Sequence, residues 1–157
     1  MKMQKSIGNG EKNLSAGMPL SRKGKTMRIM IVESDWHFEI KAIQYFEARA
    51  DLVVRRTPDA ALQCAQSWQP ELVILAAGYV NESLIAGLRA LSVPPAILIT
   101  EHMSRFDQAW RAWQVGGDEL LMKPVFHVRE LHEAVMQAME RAAINNDKTA
   151  ATLAVPA

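Results

Sequence analysis

Apolar residues along this chain follow two rhythms. Five short runs, RIMIV (28–32), DLVVR (51–55), ELVIL (71–75), AILIT (96–100) and ELLM (119–122), are nearly continuous, as strands buried on both faces are. Between and after them the apolar positions spread to helical spacing. Trp36, Ile40, Ile43 and Phe46 mark one face of a helix over 36–49. Thr57 then Pro58 reads as a cap and a first-turn proline for 58–68, and a third helix is expected over 81–91. Ser104 with Asp107 resembles a capping box for 104–114, with Gly116 and Gly117 as its stop. Val128, Leu131, Val135 and Met139 give the stripe of a last helix ending near Ala143. Five strands alternating with five helices predict one α/β domain over 27–143, its parallel sheet covered on both faces.

Composition narrows what that domain does. The 157 residues carry a formal charge of +1, with 49% hydrophobic and 22% charged residues, an ordinary globular balance that gives no global pull toward nucleic acid or anionic lipid. Charge gathers only in residues 1–26, where Lys2, Lys5, Lys12, Arg22, Lys23 and Lys25 against Glu11 make a net +5. This segment reads as a disordered basic tail, with Met18 and Met27 as alternative starts. Residues 144–157 read as a flexible C-terminal tail. A lone cysteine, Cys64, excludes an internal disulfide, and without a signal peptide or an apolar run of about 18 residues a cytoplasmic, non-membrane protein is expected. GKT at 24–26 is no phosphate loop, because Pro19 stands where the loop needs glycine. The histidines at 37, 102, 127 and 132 have no metal-ligand spacing.

In a parallel α/β sheet, ligands gather outside the carboxyl ends of the strands. Those ends carry Glu33, Ser34 and Asp35, then Ala76 and Ala77, then Thr100 and Glu101, then Lys123 and Pro124. IVESD, PELVIL, ILIT and GGDELLMKP, in that order and spacing, make residues 28–143 similar to the receiver domain of bacterial response regulators. The resemblance implies a flavodoxin-like, doubly wound (βα)5 sheet of strand order 2-1-3-4-5. In that family an aspartate ending the third strand accepts a phosphoryl group, and Mg²⁺ is held by that aspartate and an acidic pair after the first strand. A hydroxyl residue on the fourth strand and a lysine before a proline hold phosphoryl oxygens.

Carried over by position, Glu33 takes the place of the first acid, Ser34 that of the second, Thr100 that of the hydroxyl and Lys123–Pro124 that of the lysine–proline pair. The family pattern allows that last bond to be cis. Ala76 stands at the phosphoacceptor position and has no lone pair to attack phosphorus. Tyr79, three residues on, is no substitute. Asp35 is one residue past the acidic pair. Leu120 occupies a place where many receivers have an aromatic residue that swings inward on activation.

These departures imply a pseudo-receiver: not an enzyme, no cofactor, no metal, and a phosphorylation-independent interaction module in two-component phosphorelay signalling. Its expected partner is a signalling protein or a second copy of itself. Lys123 is expected to pair with Glu33 or with Glu101 in place of phosphate. Phe106, Trp110 and Trp113 share one helical face, which either packs on the sheet or docks a partner, the family's usual docking face being its fourth helix, fifth strand and fifth helix. Two other functions fit the sequence. One is a dimeriser in a transcription regulator that binds DNA through residues 1–26; the other is a small-ligand sensor using the vacated acidic pocket.

Overall fold

The computed structural model describes residues 26–154 of the chain, with side chains to residue 148. The basic segment, apart from its last residue, lies outside the described residues, as do the last three. Strands β1 (Arg28–Val32), β2 (Leu52–Arg55), β3 (Leu72–Ala76), β4 (Ala96–His102) and β5 (Glu119–Lys123) alternate with helices α1 (Trp36–Ala48), α2 (Pro58–Trp68), α3 (Glu82–Arg89), α4 (Phe106–Gly116) and α5 (Val128–Ala154). The sheet is wholly parallel in the order β2-β1-β3-β4-β5, the flavodoxin-like architecture expected.

Its two faces explain the continuous apolar runs. Ile29 and Ile31 of β1, with Leu72 and Ile74 of β3, point to one face and meet Phe38 and Phe46 of α1 and Leu131 and Val135 of α5. The intervening Met30, Val32, Val73 and Leu75 point to the other and meet Ala61 and Ala65 of α2, Leu84 and Leu88 of α3 and Ala112 of α4. A period of two along each strand thus feeds two cores, and polar residues are left to the strand ends. Cys64 is half-buried at the edge of the second core.

Helix ends depart from the sequence pattern in two places. The Ser104–Asp107 capping box does not form: residues 103–105 make a 3₁₀ turn, α4 starts at Phe106, and the Ser104 hydroxyl bonds His102 Nδ1 instead. Ser104 with its N-cap geometry lost to a local turn is a known competition between side-chain and helical hydrogen bonding. The last helix does not stop near Ala143 but continues through Ala154. Lys148, Ala150, Ala151 and Leu153 are good helix formers, and neither glycine nor proline interrupts before Pro156; the apolar stripe ends before the helix does.

Candidate functional site

The register that builds the sheet also builds the site. Ala76 of β3 lies beside Thr100 of β4, and His102 beside Lys123 of β5, so the expected residues converge at one end of the sheet. Glu33, just past β1, is the centre. Its Oε1 accepts a 2.6 Å hydrogen bond from the Thr100 hydroxyl, and its Oε2 accepts one of 2.8 Å from Lys123 Nζ. The backbone N–H groups of Ser34 and Asp35 also donate to Oε2, at 3.3 and 3.2 Å. The Glu33 side chain is fully buried and that of Lys123 nearly so. Desolvating a carboxylate and an ammonium is tolerable only because each faces the other and the remaining acceptor sites are filled.

Asp35 completes the cluster in a different way from that expected of a metal ligand. One oxygen, Oδ1, caps α1 by accepting from Phe38 N–H at 3.2 Å, and the other lies 3.5 Å from Lys123 Nζ. Partial burial raises its pKa and is the largest single influence, but the Phe38 N–H, the Lys123 charge and hydrogen bond, and the His37 N–H together outweigh it, so the carboxyl sits below its ordinary value. Lys123 Nζ also stands 5.4 Å from the centre of the Phe38 ring, within cation–π reach. The Lys123–Pro124 peptide bond is cis.

Of the two pairings open to Lys123, the structure makes the one with Glu33. Glu101 is buried too, but its Oε1 accepts from His102 N–H at 2.7 Å, which turns its carboxylate onto its own backbone. Ser34 is exposed and reaches the cluster only through its main chain. Ala76 and Ala77 are both buried, and Tyr79, at the end of the following 3₁₀ turn, packs against the second core. The tip of β3 therefore offers methyl groups where a nucleophile would stand. Among the described residues no three His, Cys, Asp or Glu side chains gather to hold a metal ion.

The aromatic face of α4 is the second candidate region. The helix turns Ala109 and Ala112 toward the sheet, while Phe106 and Trp110 are 56% and 44% exposed. Trp113 is half-buried and meets Trp110 edge to face, with ring centres 5.2 Å apart. The large residues thus flank the small ones that do the packing. Leu120, half-buried, packs against the second core.

A second polar cluster has almost no signature in the sequence. At the opposite end of the sheet Asp118, just before β5, has a fully buried side chain. It accepts from the Ile97 N–H of β4 at 2.8 Å, from Arg89 of α3 at 3.2 and 3.3 Å and from Asn145 of α5 at 3.3 Å. Arg89 also donates to the Gly116 carbonyl. An acid between a glycine pair and an apolar run was its only local sign; its partners are 21 to 29 residues away in sequence.

No family model and no curated protein sequence matches the chain. Its backbone is nevertheless similar to many solved structures. NtrX from Brucella abortus superposes with a TM-score of 0.65 at 14% identity, over 80% of this chain and 29% of NtrX. The signal receiver domain of a modulated diguanylate cyclase from Desulfovibrio desulfuricans gives 0.62 at 19%, over 77% of this chain and 99% of the domain. Full-length FixJ from B. japonicum gives 0.61 at 19%, over 75% and 60%. At such identities the likeness is one of fold, and it agrees with the strand order described above: the chain has the fold of a signal receiver domain.

Proposed function

We propose that this chain is a pseudo-receiver, a two-component signalling module that takes no phosphoryl group and works by binding a protein partner. The observation that carries this reading is the pairing of alanines at the tip of β3 with a closed Lys123–Glu33–Thr100 cluster beside them. Phosphoryl transfer needs a nucleophile in line with phosphorus and a metal to offset charge. Here the nucleophile's place holds a methyl group. The one acid kept from the metal-binding pair has both oxygens engaged, so Mg²⁺ would have to displace a buried ammonium. In this reading Lys123 supplies permanently the positive charge that metal and phosphate would bring and take away, and Thr100 is held toward Glu33 in one arrangement. The module has no catalytic activity of its own.

Output then rests on a surface. The stripe of Phe106, Trp110 and Trp113 supports α4 as that surface, because large aromatic residues left in water beside a well-packed helix are what interface hot spots are made of. The ligand-sensor reading of the vacated pocket has less support, since Glu33 and Lys123 occupy each other.

Incubation of the purified protein with acetyl phosphate and Mg²⁺, followed by intact-mass measurement, tests the first half. No mass gain is expected; addition of one phosphoryl group would sink the reading. For the second half, Trp110→Ala and Trp113→Ala are expected to fold normally and to lose partners, or self-association, that the parent protein shows. Retention of every partner by both variants would move the interface elsewhere.

A further inference from the structure

Between α1 and α5, on the side of the sheet opposite α4, lies a groove of about 380 Å³. Its volume falls in the range of small-molecule sites. Phe38, Val125, Phe126 and Leu131 form its apolar walls, and its polar members are Lys41, Gln44 and Tyr45, whose hydroxyl is hydrogen-bonded to His132 Nδ1. Phe126 is 70% exposed, so the groove keeps an aromatic ring in water that an apolar guest would cover.

Lys41 gives the groove a sign. Its Nζ donates 3.0 Å to the Val125 carbonyl, a neutral acceptor. Among the described residues, Arg55, Arg89, Lys123 and Arg141 each have a carboxylate within 4.0 Å, and Lys41 has none. No acidic residue lines the groove; Glu130 and Asp35 each give a carboxylate oxygen to the N–H of a lining residue, Phe126 at 3.3 Å and Phe38 at 3.2 Å. An ammonium at the rim of an apolar trough, without a counter-charge, selects for a guest with an apolar body and one negative group.

The inner wall connects this groove to the buried cluster. Phe38 lines the groove, its N–H is capped by Asp35, and its ring faces Lys123 Nζ at 5.4 Å. Val125, which also lines the groove, is two residues after Lys123. A guest that shifts Phe38 therefore changes the surroundings of the Lys123 ammonium with no further intermediary.

We propose that the α1–α5 groove binds a small amphiphilic carboxylate, its body against Phe126 and Leu131 and its charge on Lys41, and that Phe38 transmits occupancy to the Lys123–Glu33–Thr100 cluster. The site is separate from the phosphoacceptor corner and from the α4 face, and it stands whether or not the chain accepts phosphate. It would give the module an input that needs no covalent chemistry.

The test is an NMR titration of the ¹⁵N-labelled full chain with octanoate, and in parallel with octan-1-ol as the uncharged analogue. Octanoate should shift the Lys41 and Phe126 amides saturably, with octanol about threefold to fivefold weaker, and Lys41→Gln should raise the octanoate Kd by about that factor while leaving octanol unchanged, an exposed charge pair supplying no more than that. Thr100 and Lys123 amides should follow the same saturation curve. Phe38→Leu, compared at saturating octanoate, should shrink those distant shifts relative to the shift at Phe126. No saturable shift at Phe126 up to about 1 mM overturns the site. Equal affinity for octanoate and octanol overturns it also, marking an apolar protein-docking patch instead. Saturation at Phe126 with Thr100 and Lys123 unmoved overturns the transmission through Phe38.

Discussion

Two carboxylates with fully buried side chains sit at opposite ends of the same sheet: Glu33 at the carboxyl end and Asp118 at the amino end. Their partners differ in kind. Asp118 accepts from the main chain of β4 and from side chains of α3 and α5, so it fastens elements that sequence separation would otherwise leave to packing alone. Glu33 accepts from Thr100 and Lys123, side chains whose counterparts in the receiver family handle a phosphoryl group, and joins no helix to the sheet directly. One carboxylate is a fastener; the other, in the pseudo-receiver reading proposed above, is the remnant of a site, its charge paired with that of Lys123.

Breaking the Glu33 cluster should have the largest effect. Lys123→Met leaves a buried carboxylate without its ammonium and is expected to lower stability in urea unfolding by about 3–5 kcal/mol, whereas Glu33→Gln with Lys123→Met should recover much of the loss, because no unpaired charge remains. A single-variant loss below about 1 kcal/mol would mean that the pair behaves as a solvated one. At the other end, Asp118→Ala strips the Ile97 N–H and the Arg89 guanidinium of their acceptor. A cost of about 1–3 kcal/mol is expected, with α3 and α5 losing hydrogen-exchange protection before the sheet does. Uniform loss across the domain would remove the distinction between fastener and remnant.

Legibility in the sequence follows the same divide. The strands were readable because each is short, apolar and bounded by turn residues, and the Glu33 corner was readable because family chemistry names the residue types in advance. Asp118 was not: its partners are set by register and helix docking, which no local window contains. The α4 face lay between these cases. Spacing put Phe106, Trp110 and Trp113 on one side, but only Ala109 and Ala112 packing inward decides that this side looks outward. The Ser104 box failed for a local reason, a 3₁₀ turn held by His102.

Asp35 tests how far the remnant reaches into the fold. As the cap of α1 its replacement in Asp35→Ala should cost about 1 kcal/mol. Its carboxyl is held below its ordinary value of 3.8, so the folded state binds this proton less readily than the unfolded state does. The associated stability is present above 3.8 and is lost as pH falls below it through the folded-state value. Acid unfolding of the parent should therefore lose stability in that window, and Asp35→Ala should flatten the curve there. An unchanged acid limb would assign the loss to other carboxylates.

The smallest expected effect sharpens the boundary of the Asp118 cluster. Arg141 of α5 donates to Glu119 Oε1 at 2.7 Å and, more weakly, to the Asp118 carbonyl at 3.4 Å. Its side chain is 46% exposed, so water and salt screen the pair, and Arg141→Ala should cost only about 0–1 kcal/mol, less still at about 1 M salt, where the screening length is about 3 Å. Short distance alone does not make the loss of one partner costly; burial of both does, as at Glu33 and Lys123. A salt-insensitive cost near that of Asp118→Ala would show instead that Arg141, Asp118 and Arg89 act as one unit, and the amino end of the sheet would then hold the more tightly coupled of the two clusters.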